Sequence, residues 1–261
     1  MITLKNVRVT YNPGSLTEKK ALRGVDLKIN DGEFITVIGS NGAGKSTVLN
    51  AIAGEVIPTA GHIKIDTTDV TKNPSYERAG MVARVFQDPL AGTCADLTIA
   101  ENLALAERRG FRRGLTLALS KTKREEYKTT IARLKLGLDD RLDTPMGTLS
   151  GGQRQAVSLI MATLSPLKIL LLDEHTAALD PKTAAFVMDL TQKIIAEKNL
   201  TALMITHSLQ QALTFGTRTV MLHEGKIIYD VSGDERTKLT PHDLLEKFGR
   251  SVDDDRLLLR G

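Results

Sequence analysis

The chain predicts an α/β fold: a largely parallel sheet covered by helices, an antiparallel β region and an inserted α-helical region. Three observations point there. Apolar, β-branched runs alternate with helix-period segments along most of the 261 residues. The first third is richer in strands than in helices and is punctuated by Gly and Asn, which suits antiparallel pairing. From about residue 88 to 165 strand signals are sparse and helical ones dominate. The expected strands are ITLKNVRVTY, GVDLKI, FITVIG, HIKID, MVARVF, KILLLD, TALMIT, RTVML and KIIYD. Helical patterns fall at roughly 44–54, 122–136, 151–164, 183–197 and 208–216. One domain over 1–250, with the helical subdomain at about 88–165, and a charged tail over 251–261 complete the expected organisation.

Bulk composition excludes several classes. A hydrophobic share of 41% with 25% charged residues is that of an ordinary globular domain. The net charge of +4 is read as solvated surface, so no nucleic-acid partner is expected. Cys94 stands alone, which rules out an internal disulfide framework, fits a reducing compartment and reads as a small buried hydrophobe. The opening MITLKNVRVT lacks the apolar stretch of a signal peptide. No apolar run approaches the length of a membrane span, so a role at the membrane is expected to come through a partner subunit.

Residues 39–47, GSNGAGKST, match the phosphate-binding pattern G-x-x-x-x-G-K-[ST] between the strand FITVIG and a helical segment. Gly39, Ser40, Asn41, Gly42, Ala43, Gly44 and Thr47 form a loop whose backbone N–H groups wrap phosphates, helped by the positive end of the helix. Lys45 is expected to reach the β- and γ-phosphates and the Ser46 hydroxyl to ligate Mg²⁺. Residues 169–173 then supply an apolar strand, expected beside the P-loop strand, that ends in Asp173, a candidate metal holder. Glu174, one residue further, is the candidate general base for an attacking water. Upstream, LSGGQRQ over 149–155 opens a helix with Ser150 as its N-cap and paired glycines behind it. Such a second phosphate-binding surface is redundant in one monomer and sensible if two copies face each other.

In these motifs and their order the chain resembles the ATP-binding subunits of ATP-binding cassette (ABC) transporters. GSNGAGKST matches Walker A, ILLLDE matches Walker B with its following glutamate, and LSGGQ is the family signature. Gln87 in VFQDP matches the Q-loop glutamine, AALD over 177–180 the D-loop, and His207, 34 residues after Asp173, the switch histidine. Tyr11 lies 28 residues before Gly39, where the family places an aromatic that stacks on adenine. The resemblance implies a P-loop NTPase (RecA-like) core that binds and hydrolyses ATP with Mg²⁺. It implies that Gln87 touches the metal or the nucleophilic water, that His207 contacts the γ-phosphate, and that Asp180 crosses a dimer interface. It also implies a homodimer on ATP binding, each ATP clamped between Walker A of one copy and Ser150, Gly151, Gly152 and Gln153 of the other. Transmembrane permease subunits, a substrate-binding protein and a place on the cytoplasmic face of the membrane follow from the same resemblance.

One departure is His175, in a slot where the family usually has proline; a structural role is expected for it. The stretches VFQDPLAGTCADLTIAENLALAERRG and DEHTAALDP are similar to ATPases of putative tryptophan/tyrosine-type importers, which favours uptake of an amino acid or similar small nutrient. Export and a non-transport ABC ATPase are the alternatives. The latter class carries coiled-coil insertions or tandem cassettes that this sequence lacks. The basic residues Arg108, Arg109, Arg112, Arg113, Lys121, Lys123 and Arg124 have two open readings, contact with lipid headgroups or the permease, and a solvated helix face.

Overall fold

The structure is a computed structural model that describes residues 1–111 and 118–249. It divides into two compact units, Met1–Arg78 with Asn199–Gly261, and Ala79–Lys198. In chain order the first unit opens with β1 (Ile2–Tyr11), β2 (Lys19–Ile29), β3 (Phe34–Gly39), α1 (Lys45–Ala53), β4 (Ala60–Ile65), β5 (Thr68–Asp69) and α2 (Ser75–Arg78). The second unit holds β6 (Val82–Val85), α3 (Ile99–Glu107), α4 (Lys121–Ala132), α5 (Gly151–Thr163), β7 (Ile169–Asp173) and α6 (Pro181–Lys198). The chain then returns to the first unit with β8 (Ala202–Ile205), α7 (Leu209–Thr214), β9 (Arg218–His223), β10 (Lys226–Ser232), α8 (Gly233–Thr237) and α9 (Pro241–Gly249).

In the first unit β2, β1, β4 and β5 form an antiparallel sheet in that order. The alternation of β1 slips by one residue, with Ile2 and Leu4 inward and then Val7 and Val9. Pairing absorbs the slip: the register with β2 shifts between Leu4 and Val7, and Asn6 takes φ 48°, a turn that Asn tolerates. Strand β3 is buried at all six positions, as a parallel strand covered on both faces must be. It pairs in parallel with β8 and with β9, and β10 runs antiparallel to β9. This corrects one expectation: both edges of β3 are taken by β8 and β9, so the strand ending in Asp173 is not its hydrogen-bonded neighbour. Ile38, Ala212 and Met221 pack with Leu244 and Phe248 of α9, a helix that the sequence reading did not anticipate.

In the second unit β6 and β7 pair in parallel, Arg84 opposite Leu171 and Val85 opposite Leu172. Helix α5 is buried from Gln155 to Thr163, and α4 contributes Tyr127 and Ile131 to the core. Cys94 is exposed, against the expectation of burial; it sits in the loop between β6 and α3, where Asn102 binds its backbone N–H and carbonyl at 2.8 and 3.0 Å. Loop backbone, and not side-chain packing, is what this position supplies. Among the described residues no helix is long and apolar enough to cross a membrane.

Candidate functional site

The first unit carries the phosphate loop between β3 and α1. Buried Gly44 has φ 105°, and a Cβ there would stand 2.8 Å from the Ala21 carbonyl oxygen and 2.9 Å from Leu22 Cδ2. Conformation and space therefore both demand glycine. The loop is held from below, since the Gly225 N–H donates to Ala43 O at 2.9 Å from the turn between β9 and β10. Gly39, Ser40 and Ala43 are buried, Asn41 and Gly42 are exposed at the tip, and Ser46 and Thr47 follow in the first turn of α1, Ser46 exposed. Lys45 is buried, and its ammonium donates to the carbonyls of Gly39 at 2.7 Å and Ser40 at 3.1 Å. Tyr11 ends β1 opposite Lys19 and is half-buried. Lys19 was not singled out from sequence, yet its Nζ is 3.9 Å from where a Cβ on Gly42 would lie, a cation beside the loop tip. His207 is exposed just after β8, ahead of α7, which Ser208 caps through the Gln211 N–H at 3.2 Å.

The second unit carries the acids. Asp173 ends β7, and with Phe86, Gln87 and Ala178 it lines a cavity of about 450 Å³. Gln87 and Asp173 are thus brought to one cavity. Arg84 Nη2 donates to Asp173 Oδ2 at 2.5 Å, with the two side chains 11% and 14% exposed. Parallel pairing explains the contact. Arg84 lies opposite Leu171, so its long side chain leans along the same face toward Asp173, two residues on. The sequence held a signal for this residue: an arginine inside an otherwise apolar strand must find a partner. Gln155 of α5, fully buried, donates from Nε2 to Phe86 O at 3.1 Å and fixes the chain just before Gln87.

Glu174 adopts φ 47°, the left-handed region, where the chain leaves β7. His175 behind it is buried, its Nε2 is 3.0 Å from Thr191 Oγ1 of α6, and burial pushes its pKa down to about 4. The expected structural role for His175 is what its surroundings offer. Ser150 caps α5 as anticipated: its hydroxyl accepts from the Gln153 N–H at 3.2 Å, and Gln153 Oε1 accepts from the Ser150 N–H at 3.1 Å. Gly151 is exposed and Gly152 is buried behind it. Asp180 caps α6 by accepting from the Thr183 N–H at 3.1 Å, and hydrogen bonding from the Thr183 side chain, then from its N–H, holds the carboxyl below the usual range. Among the described residues no group of three or more His, Cys, Asp or Glu is placed to hold a metal ion.

Of the basic residues, Arg112 and Arg113 lie outside the described residues. Arg109 donates to the carbonyls of Ala79 and Ala162 at 2.9 and 3.1 Å, a structural use. Lys123 pairs with Glu107 and Glu126, and Arg124 with Asp143.

Comparison with known proteins agrees with the motifs. The ABC transporter family model matches residues 22–177. A tyrosine transport ATP-binding protein of Clostridioides difficile (strain R20291) is 45% identical over 253 residues, covering 97% of this chain and 100% of that one. The thiamine import ATP-binding protein ThiQ of Shigella sonnei (strain Ss046) is 36% identical, covering 80% of this chain and 85% of that one. Among solved structures, the dimeric cassette MJ0796 in a post-hydrolysis state with ADP and Pi superposes with a TM-score of 0.75 at 31% identity, covering 89% of this chain and 98% of that one. A nucleotide-free cassette of an ABC transporter gives 0.77 at 26% identity, covering 95% and 98%. With the phosphate loop, the strand-end acids and the capped signature helix all in place, the chain belongs to the ATP-binding subunits of ABC transporters, which hydrolyse ATP.

Proposed function

We propose that this ATPase powers the import of an aromatic amino acid, tyrosine or a close analogue, through separate permease subunits on the cytoplasmic face of the membrane. The observation that carries the reading is likeness to a tyrosine transport ATP-binding protein along nearly the full length of both chains. Likeness to thiamine and methionine import subunits supports uptake over export, and a substrate-binding protein belongs to such a system.

In this reading Tyr11 stacks on adenine, and the N–H groups of residues 39–47 with Lys45 hold the phosphates. The loop fits an anion: its glycines leave the backbone uncovered, and the exposed Ser46 hydroxyl stands in the first helical turn. Mg²⁺, when bound, neutralises charge developing on the phosphoryl oxygens, and Ser46, Gln87 and Asp173 are the residues to hold it. Glu174 takes the proton of the attacking water, while Gln87 and His207 orient that water against the γ-phosphate. Ser150, Gly151, Gly152 and Gln153 close over the nucleotide of a second copy, and the opening and closing of that pair drives the permease.

Reconstitution of the chain with its permease and binding protein in liposomes tests the proposal. ATP inside is expected to drive uptake of labelled tyrosine, and Glu174→Gln to bind ATP yet lose phosphate release and uptake by at least about a hundredfold. Uptake of a chemically unrelated cargo with none of tyrosine would overturn the cargo. Undiminished phosphate release from Glu174→Gln would remove Glu174 as the base.

A further inference from the structure

Strand β6 leads toward Gln87, and its one charged side chain points at the carboxylate proposed to serve the metal. Arg84 Nη2 lies 2.5 Å from Asp173 Oδ2. The guanidinium is also held from its other face, with Cζ 4.7 Å from the centre of the Phe86 ring, one residue before Gln87. Both charged groups are close to nine-tenths covered, where water screens the pair weakly. Asp173 also lines the cavity that contains Gln87. A divalent cation and a guanidinium are drawn to the same carboxylate oxygens by the same charge, and they repel each other.

We propose that Arg84 is the resident counter-ion of Asp173 and competes with the divalent cation for it, so that this one side chain sets how tightly the nucleotide site takes up its metal. The inference rests on the reading of Asp173 as the metal-holding carboxylate. Phe86 gives the guanidinium a second partner, so giving up the carboxylate needs only a short swing of the side chain and no movement of β6. Arg84 is a positioning residue in this scheme, acting through Asp173.

The test measures metal binding directly. Mn²⁺ is titrated by electron paramagnetic resonance into the full chain saturated with a nonhydrolysable ATP analogue, for wild type, Arg84→Met, Arg84→Gln and Asp173→Asn. Arg84→Met removes the charge and keeps an apolar stem over Phe86. Arg84→Gln keeps a neutral donor for Asp173, so a folded protein is retained even where Met leaves the carboxylate without a partner. Both are expected to bind Mn²⁺ tighter by on the order of tenfold, the scale left to one neighbouring charge once water and nucleotide charges screen it. Affinity for the analogue without metal is expected to change less than that. Unchanged or weaker Mn²⁺ binding in a folded Arg84→Gln overturns the proposal and makes Arg84 a support for the carboxylate. Equal Mn²⁺ affinity in wild type and Asp173→Asn overturns the metal reading itself, and this inference falls with it.

Discussion

Glu174 is held in a backbone conformation that a glutamate adopts at a cost of about 1 kcal/mol or more. The residue that follows it is anchored to α6. Thr191 donates its hydroxyl proton to Val187 O at 2.7 Å, so the proton between Thr191 Oγ1 and His175 Nε2 must come from the ring. The ring is thus protonated on Nε2, and burial, which pushes its pKa down to about 4, keeps it neutral. Proline, usual at this place in the family, restrains the chain through its ring; histidine here restrains it through a buried hydrogen bond to α6. Thr191→Val keeps the shape and removes the acceptor, leaving a buried N–H unmet at a cost of roughly 1–3 kcal/mol. We expect Thr191→Val to lower kcat severalfold with little change in KM for ATP, and Thr191→Ser to restore it. A loss confined to thermal stability, with kcat intact, would make the bond structural only. The site was unevenly legible at this scale. Lys45, Ser46, Glu174 and Ser150 stand out in the sequence as candidates because short spacing along the chain encodes loop geometry. Arg84 escaped because its partner is 89 residues away.

Elements were legible where their period was long and uniform, and less so where a cap or a turn decided them. β3 and β7 announce themselves as apolar runs, and the start of α5 announces itself by the Ser150–Gln153 pair. α3 has as clear a signal in its Thr98–Glu101 capping box, yet it is only nine residues long and sits inside a region read in bulk as helical. The two-residue β5 has no period at all. Packing between elements was the least visible, and Gly152 shows why. A Cβ there would stand 2.0 Å from Thr183 Cγ2, so the second residue of α5 rests against the first turn of α6, which Asp180 caps. The second glycine of the signature thus serves helix packing. Gly152→Ala is expected to destabilise the protein by about 1–3 kcal/mol through overpacking and to lower turnover. Thr183→Ser, which deletes the opposing methyl, should recover most of the stability in the double variant. Additive losses in that cycle, measured by denaturant unfolding, would show that the two side chains do not meet.

At the scale of the whole molecule, the two surfaces proposed to bind phosphate belong to different compact units, the loop with Lys45 in one and the start of α5 with Ser150 in the other. If each ATP is shared between copies, a variant damaged in Lys45 and one damaged in Ser150 fail for complementary reasons. Lys45→Ala alone and Ser150→Arg alone should each be inactive, the second still binding nucleotide as a monomer. In a mixed dimer the intact loop of the Ser150→Arg copy faces the intact signature of the Lys45→Ala copy, and the other site is doubly broken. Equal mixing makes half the dimers mixed, so about a quarter of all sites are whole, as a two-fold interface requires. Phosphate release from the mixture should accordingly rise to roughly a quarter of wild type, from near zero for either variant alone. Activity that stays at the level of the separate variants, while light scattering shows that mixed dimers form, would place both surfaces on the same copy's nucleotide and end the shared-site reading.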